Sequence, residues 1–195
     1  MIVAPTRQTG MGGHQSASMG KDEWLTPPWV LERLGPFDLD PCSPVSRPWD
    51  TARQHYSVLD NGLSKQWLGR VWCNPPYGAE AAKWLSRCAE HGNAIALIFA
   101  RTETSMFFQH VWGRADGLLF IEGRLYFHHV TGDVAKANSG APSVLVAYGA
   151  ANAACLKSCG IGGAWVGAKE IAVAPKSSPN RQRDAIPPDI MEMGL

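Results

Sequence analysis

The sequence predicts a three-layer α/β fold built on an abbreviated open sheet, from three features. Ala94 to Ala100 is an unbroken apolar run ending at Arg101-Thr102, the pattern of a strand buried on both faces in a parallel sheet. Gly78 to His91 places Ala81, Ala82, Trp84, Leu85, Cys88 and Ala89 on one helical face and stops at Gly92, so a helix precedes that strand. Arg70 to Cys73 and Phe37 to Pro41 read as two further strands. Only about thirty residues separate them, too few for two complete strand-helix crossovers, and the sheet is therefore expected to be cut short there.

In chain order, residues 1–20 are rich in Gly, Ser, Met and Gln without periodicity and read as a flexible arm, followed by one domain over 21–174. Thr26-Pro27-Pro28 is a helix-start signal, with Thr as cap and Pro at the first positions, leading into Trp29 to Leu34 and a stop at Gly35-Pro36. Phe37 to Pro41 follows as a short strand that ends in the acidic Asp40. Asp60-Asn61-Gly62 marks a turn, and Leu63 to Trp67 a single helical turn. After the central helix and strand, Thr104 to Trp112 reads as a short helix with Met106, Phe107 and Trp112 inward. Leu118 to Ile121 and Leu125 to His129 read as strands around Glu122-Gly123-Arg124, Val130 to Ala141 as a loop, and Ser143 to Tyr148 as a strand. Ala151 to Cys159 suits a helix, Gly160 to Gly163 a turn and Trp165-Val166 a last packed edge. From Pro175 the composition turns to Ser, Pro and Asn, and a disordered tail over 175–195 is expected.

Composition narrows the class. The 195 residues, 45% hydrophobic and 18% charged, fit a globular protein, and no run of about 18 apolar residues exists to span a bilayer. The first twenty residues lack the charged start and apolar block of a secretory signal, so a cytoplasmic location is expected. Five cysteines, none in a Cys-x-x-Cys pair, argue for free thiols over a disulfide framework or a zinc site. The adjacent His128-His129 would point to opposite faces of a strand, and no metal is implied. A net charge of +1 suits transient contact with nucleic acid better than a tight clamp.

The chemistry concentrates at Asn74-Pro75-Pro76-Tyr77, directly after the apolar strand. Neither proline donates a backbone N–H, so the turn presents carbonyl oxygens without competing donors and is stiffened at two consecutive φ angles. The Asn74 amide oxygen beside the Pro75 carbonyl makes a pair of acceptors, matched to an exocyclic NH2 with two hydrogens to give. Tyr77 offers a face on which a flat base can stack, or alternatively a core ring. Asp40, at the carboxyl end of its strand, lies where open α/β sheets bind ligands, though it reads also as a capping residue. Asp60 or Asn61 reads as a turn residue or as an acidic or amide contact to a ligand, and Arg124, in a Gly-Arg turn beside aromatics, as a phosphate or base contact or as an ordinary exposed residue. Lys136 sits in the long loop that follows.

These words resemble the phage-type DNA N6-adenine methyltransferases. The likeness runs through Asp22-Glu23-Trp24-Leu25-Thr26-Pro27, Phe37-Asp38-Leu39-Asp40-Pro41, Asn61-Gly62-Leu63, Trp67, Asn74-Pro75-Pro76-Tyr77, Gly123-Arg124-Leu125-Tyr126-Phe127 and Ala141-Pro142-Ser143, across about residues 21–165. The resemblance implies an abbreviated Rossmann-like sheet, S-adenosylmethionine as methyl donor, double-stranded DNA as substrate and an origin in a phage or prophage acting in a bacterial cell. It implies catalysis by Asn74, Pro75, Pro76 and Tyr77, and a cofactor site from Trp24, Thr26, Pro27, Asp40, Pro41, Asp60 and Asn74. DNA contacts would fall to Tyr77, Arg124 and Lys136. One departure is plain: a glycine-rich turn would follow Asp40-Pro41, whereas this chain has Cys42-Ser43-Pro44. Cytosine N4, adenine in RNA and a protein glutamine amide share the same NH2 chemistry and stand as alternative acceptors. A catalytically inactive DNA-binding module is a further alternative.

Overall fold

The computed structural model describes residues 23–169 and 171–174. The arm expected over 1–20 and the tail over 175–195 lie outside the described residues. The chain runs through α1 (Pro28–Leu34), β1 (Leu39–Asp40), β2 (Gln54–His55), a 3-10 turn at Gly62–Ser64, β3 (Val71–Cys73), α2 (Ala81–His91), β4 (Ala94–Phe99), α3 (Ser105–His110), β5 (Gly117–Ile121), β6 (Ser143–Tyr148), α4 (Ala150–Ser158) and β7 (Gly163–Gly167). The strands form one seven-stranded sheet in the order β2-β1-β3-β4-β6-β5-β7. The first four lie parallel, and β6, β5 and β7 join antiparallel.

The central strands are apolar on both faces because helices cover both. Ala94, Ala96 and Ile98 of β4 join a core with Leu85 and Cys88 of α2 and Phe107 of α3. Ile95 and Leu97, pointing the other way, join a second core with Val30 and Leu34 of α1 and Leu156 of α4. The result is the three-layer α/β arrangement, compatible with a Rossmann-like methyltransferase fold. The abbreviation falls where the chain length required it: between Asp40 and Val71 stand one two-residue strand and one 3-10 turn.

Two local expectations need correcting. Leu125 to His129 is not a strand; it makes only isolated bridges, Leu25 with His128 and His128 with Val134, because no neighbouring strand runs alongside it. Thr26 does not cap α1. Pro27 occupies the cap position without a side-chain bond, and Thr26 turns away, 2% exposed, toward the cleft described below. The edge strand β2 has no apolar signal, since Gln54 is exposed and His55 half-buried.

Arg70 ties the layers together just before β3. Its guanidinium donates to the Leu34 carbonyl at 2.8 Å, the Pro36 carbonyl at 3.1 Å and Asn152 Oδ1 at 2.7 Å, and it lies 4.5 Å over the Phe37 ring. It thus joins the end of α1, the entry to β1 and α4. Arg70→Ala would leave these acceptors without their donor, and a loss of about 2–4 kcal/mol in urea unfolding is expected.

Candidate active site

The β1 and β3 strands are parallel neighbours, with Leu39 opposite Val71, while the chain leaves β1 for β2 on its other side. The order of strands therefore reverses between β1 and β3, and ligands in open α/β sheets bind outside the carboxyl ends at such a point. A cleft of about 790 Å³ opens there, lined by residues that include Asp40, Asn74 and Tyr77. Its size is that of a small-molecule site.

Asn74 caps β3 with a fixed orientation. Its Nδ2 donates to the Trp24 carbonyl at 3.1 Å, an acceptor that only the NH2 end of the amide can serve. The Oδ1 end is therefore turned the other way, and it is buried with no hydrogen-bond partner. The Trp24 segment is in turn held by Leu25, whose N–H donates to the His128 carbonyl at 2.8 Å and whose carbonyl accepts from His128 N–H at 3.0 Å. Thr26 Oγ1 and Trp24 Nε1, from two residues that also line the cleft, are likewise buried without partners. Unsatisfied polar atoms are costly unless a ligand completes them.

Tyr77 lies flat on Phe99 at the end of β4, with centroids 4.2 Å apart and planes 5° from parallel, and meets the edge of Phe127 at 6.4 Å. One face of the ring is thus taken by Phe99. Burial holds the phenol far above its ordinary pKa, so it stays neutral. Pro75 is buried and Pro76 exposed at the cleft wall.

Asp40 ends β1, 3% exposed. Burial pushes its carboxyl up to about 6, against the pull of hydrogen bonds from Thr51 Oγ1 and the Cys42 N–H. The Cys42 bond explains how the turn closes without a glycine-rich sequence: the first amide after Pro41 is held by Asp40 itself. The Cys42 thiol lies 3.6 Å from that of Cys73 and 3.4 Å from the Asn74 carbonyl, and burial raises it to about 11, so it stays protonated.

Gly62 shapes the opposite wall. A methyl group there would fall 1.9 Å from the Pro41 carbonyl oxygen, so only glycine lets the Asn61-Gly62-Leu63 turn approach the end of β1. Trp67 Nε1 holds it by donating to the Gly62 carbonyl at 2.9 Å. Asp60 does not reach the cleft. Its carboxylate accepts from Ser57 N–H at 2.8 Å and Ser57 Oγ at 2.9 Å, bonds that also lower its pKa. Pro27 is buried behind the lining, and Arg124 and Lys136 are exposed outside it.

The charge of the cleft is one-sided. Among the described residues Glu23, Asp40 and Glu80 line it, and no Lys, Arg or His does. Such a wall attracts a cation and repels a phosphate. Glu80 and Thr51 were not singled out from the sequence, while Glu23 and Gly62 stood in recognised words without a role in the site, Gly62 as part of an Asn-Gly turn.

The family model for DNA N-6-adenine-methyltransferase (Dam) matches residues 14–153. The chain belongs to the Dam family. The match takes in β1 through β6, so it covers Asp40, Gly62, Asn74 and Tyr77, while β7 lies beyond it. The comparisons with curated proteins and with solved structures return no significant match. Among the acceptors that share the NH2 chemistry, the Dam family description names adenine N-6 in DNA. Among the described residues no helix is long and apolar enough to cross a membrane, and no three His, Cys, Asp or Glu side chains are grouped to hold a metal.

Proposed function

We propose that this chain transfers a methyl group from S-adenosylmethionine to the N6 amino group of an adenine turned out of double-stranded DNA. The observation that supports it most is the Asn74 amide: its NH2 end is engaged by Trp24, and its oxygen is buried, unpartnered and beside the Pro75 carbonyl turn. Adenine N6 is a poor nucleophile because its lone pair is delocalised into the ring. Asn74 Oδ1 and the Pro75 carbonyl accept its two hydrogens, draw the nitrogen toward tetrahedral geometry and free the lone pair. Neither acceptor is a base at neutral pH, so the proton lost from the methylated nitrogen leaves to water. Tyr77, backed by Phe99, stacks on the extruded base.

The cleft fits the cofactor. S-adenosylmethionine, when bound, supplies an electrophilic methyl on a positively charged sulfur, and among the described residues the walls hold three carboxylates with no opposing cation. Asp40 with Pro41, Trp24 and Thr26 would hold its amino-acid end. Asn61, Gly62 and Leu63 stand across from them in place of Asp60, whose carboxylate is tied to Ser57. The reaction takes place on DNA in the cytoplasm.

Asp40 gives this reading a pH signature. Its native pKa of about 6 lies above the ordinary 3.8, so its contribution to stability is complete below about 4 and is lost as pH rises through 6. A cation bound beside it needs the carboxylate, so cofactor affinity should climb as pH passes 6 and then level. In Asp40→Asn, calorimetry should show weaker binding without that climb. The proposal as a whole is tested by tritium transfer from labelled S-adenosylmethionine, offered duplex DNA, RNA and protein in parallel. Label in the duplex is expected; label confined to RNA or protein, or in none of the three, would reject it.

A further inference from the structure

Beside the cleft, the segment after β5 carries two cations and an aromatic ring that the site does not use. Leu125 and Phe127 are buried, while Arg124 and Tyr126 between and before them are exposed, Tyr126 at 51%. The His128–Val134 bridge, with Ala135 N–H donating to the Phe127 carbonyl at 2.8 Å and His129 N–H to the Asp133 carbonyl at 2.9 Å, fixes the register. That register sets Tyr126 across from Lys136, which is also exposed. Among the described residues neither Arg124 nor Lys136 enters an ion pair. The neighbouring acids are turned elsewhere: Asp133 accepts from Thr131 Oγ1 at 2.8 Å, and the Glu122 carboxylate lies toward Gly162. The patch adjoins the proposed acceptor site, since Phe127, next to Tyr126, meets the Tyr77 ring.

We infer that this face docks the DNA duplex around the target. Arg124 and Lys136 hold phosphates, and Tyr126 stacks on a base of the opened helix, keeping the gap open while adenine sits at Asn74. An exposed ring between two unpaired cations is the arrangement that nucleic-acid surfaces use, with charge for the backbone and a π-face for a base. It also reconciles DNA as substrate with a net charge of only +1 and an acidic cleft, because the basic contacts lie on the rim. The inference rests on the proposed function for the identity of the partner, and it adds Tyr126 as a positioning residue.

The test compares methyl transfer to an adenine-containing duplex and to the same strand alone, with duplex binding read separately by fluorescence anisotropy over a salt series. In Tyr126→Ala the ratio of duplex to single-strand rates should fall about ten- to a hundredfold, and Tyr126→Phe should restore it. Arg124→Ala and Lys136→Ala should each flatten the salt dependence of duplex binding by about one unit of slope. All three residues are exposed, so thermal melts of the variants should match the parent. An unchanged rate ratio in Tyr126→Ala, or unchanged salt slopes in both cation variants, overturns the inference. If the parent methylates neither substrate, the proposed function fails while the salt slopes still decide whether this face binds duplex.

Discussion

Replacing Asn74 with Ala is expected to lower methyl transfer by at least about a hundredfold while leaving cofactor binding in place. The magnitude is that of losing one preorganised group aimed at charge that develops in the transition state. The Pro75 carbonyl remains in the variant, but a single acceptor cannot hold both amino hydrogens. Folding should suffer little, since the substitution removes one hydrogen bond, to the Trp24 carbonyl, at a cost of about 1 kcal/mol. Asn74→Asp should rank between the two: it restores an acceptor toward the cleft but sets a carboxylate against the Trp24 carbonyl that now receives a hydrogen bond. Calorimetric titration with S-adenosylmethionine beside a transfer assay separates loss of chemistry from loss of cofactor. Turnover like that of the parent in Asn74→Ala would remove Asn74 from the mechanism.

The second large effect belongs to Tyr77. A stacked base needs a π-face, so Tyr77→Phe should keep most of the activity, whereas Tyr77→Ala should lose about 1–3 kcal/mol of base binding, roughly ten- to a hundredfold. Tyr77 also packs on Phe99 and Phe127, so Ala should cost some stability, about 1–2 kcal/mol for lost aromatic contact, below the 3–5 kcal/mol of a ring wholly within a core. A thermal melt reads the second quantity. The fluorescence of 2-aminopurine at the target position, which rises when a base leaves the stack, reads the first. A Tyr77→Ala protein that melts early and still extrudes the base would make Tyr77 a core residue with Phe99 and remove it from the acceptor site.

The parts of the fold legible in the sequence are those where burial dictates composition. Strands β4 and β6 are covered on both faces, so β4 is apolar throughout and β6 nearly so after Ser143, and α2 shows its buried stripe at Ala81, Leu85 and Cys88. Strand β2 escaped notice because two polar residues at a sheet edge bury nothing that composition would reveal. Leu125 to Phe127 alternates as a strand does, but the alternation there reflects a loop laid over the second core with Tyr126 outward. At the site, Asp40 was legible because it ends a strand, and Asn74 and Tyr77 because they stand in a recognisable word directly after one. Thr51 was not, since its bond to Asp40 joins positions eleven residues apart across a loop. Gly62 announced a turn but not that its Cα must pass against Pro41. Asp60 was open to two readings, turn residue or cofactor contact, and its carboxylate lies on Ser57, as a turn residue's would.

The most direct measurement is the identity of the modified base. Duplex DNA incubated with the protein and S-adenosylmethionine is digested to nucleosides and resolved by mass spectrometry, with Asn74→Ala run alongside at a cofactor concentration that saturates both proteins. N6-methyladenine from the parent and a loss of at least about a hundredfold in the variant is the expected result. N4-methylcytosine as the product, or equal N6-methyladenine from Asn74→Ala, would show that the paired acceptors at the end of β3 do not activate an adenine amine.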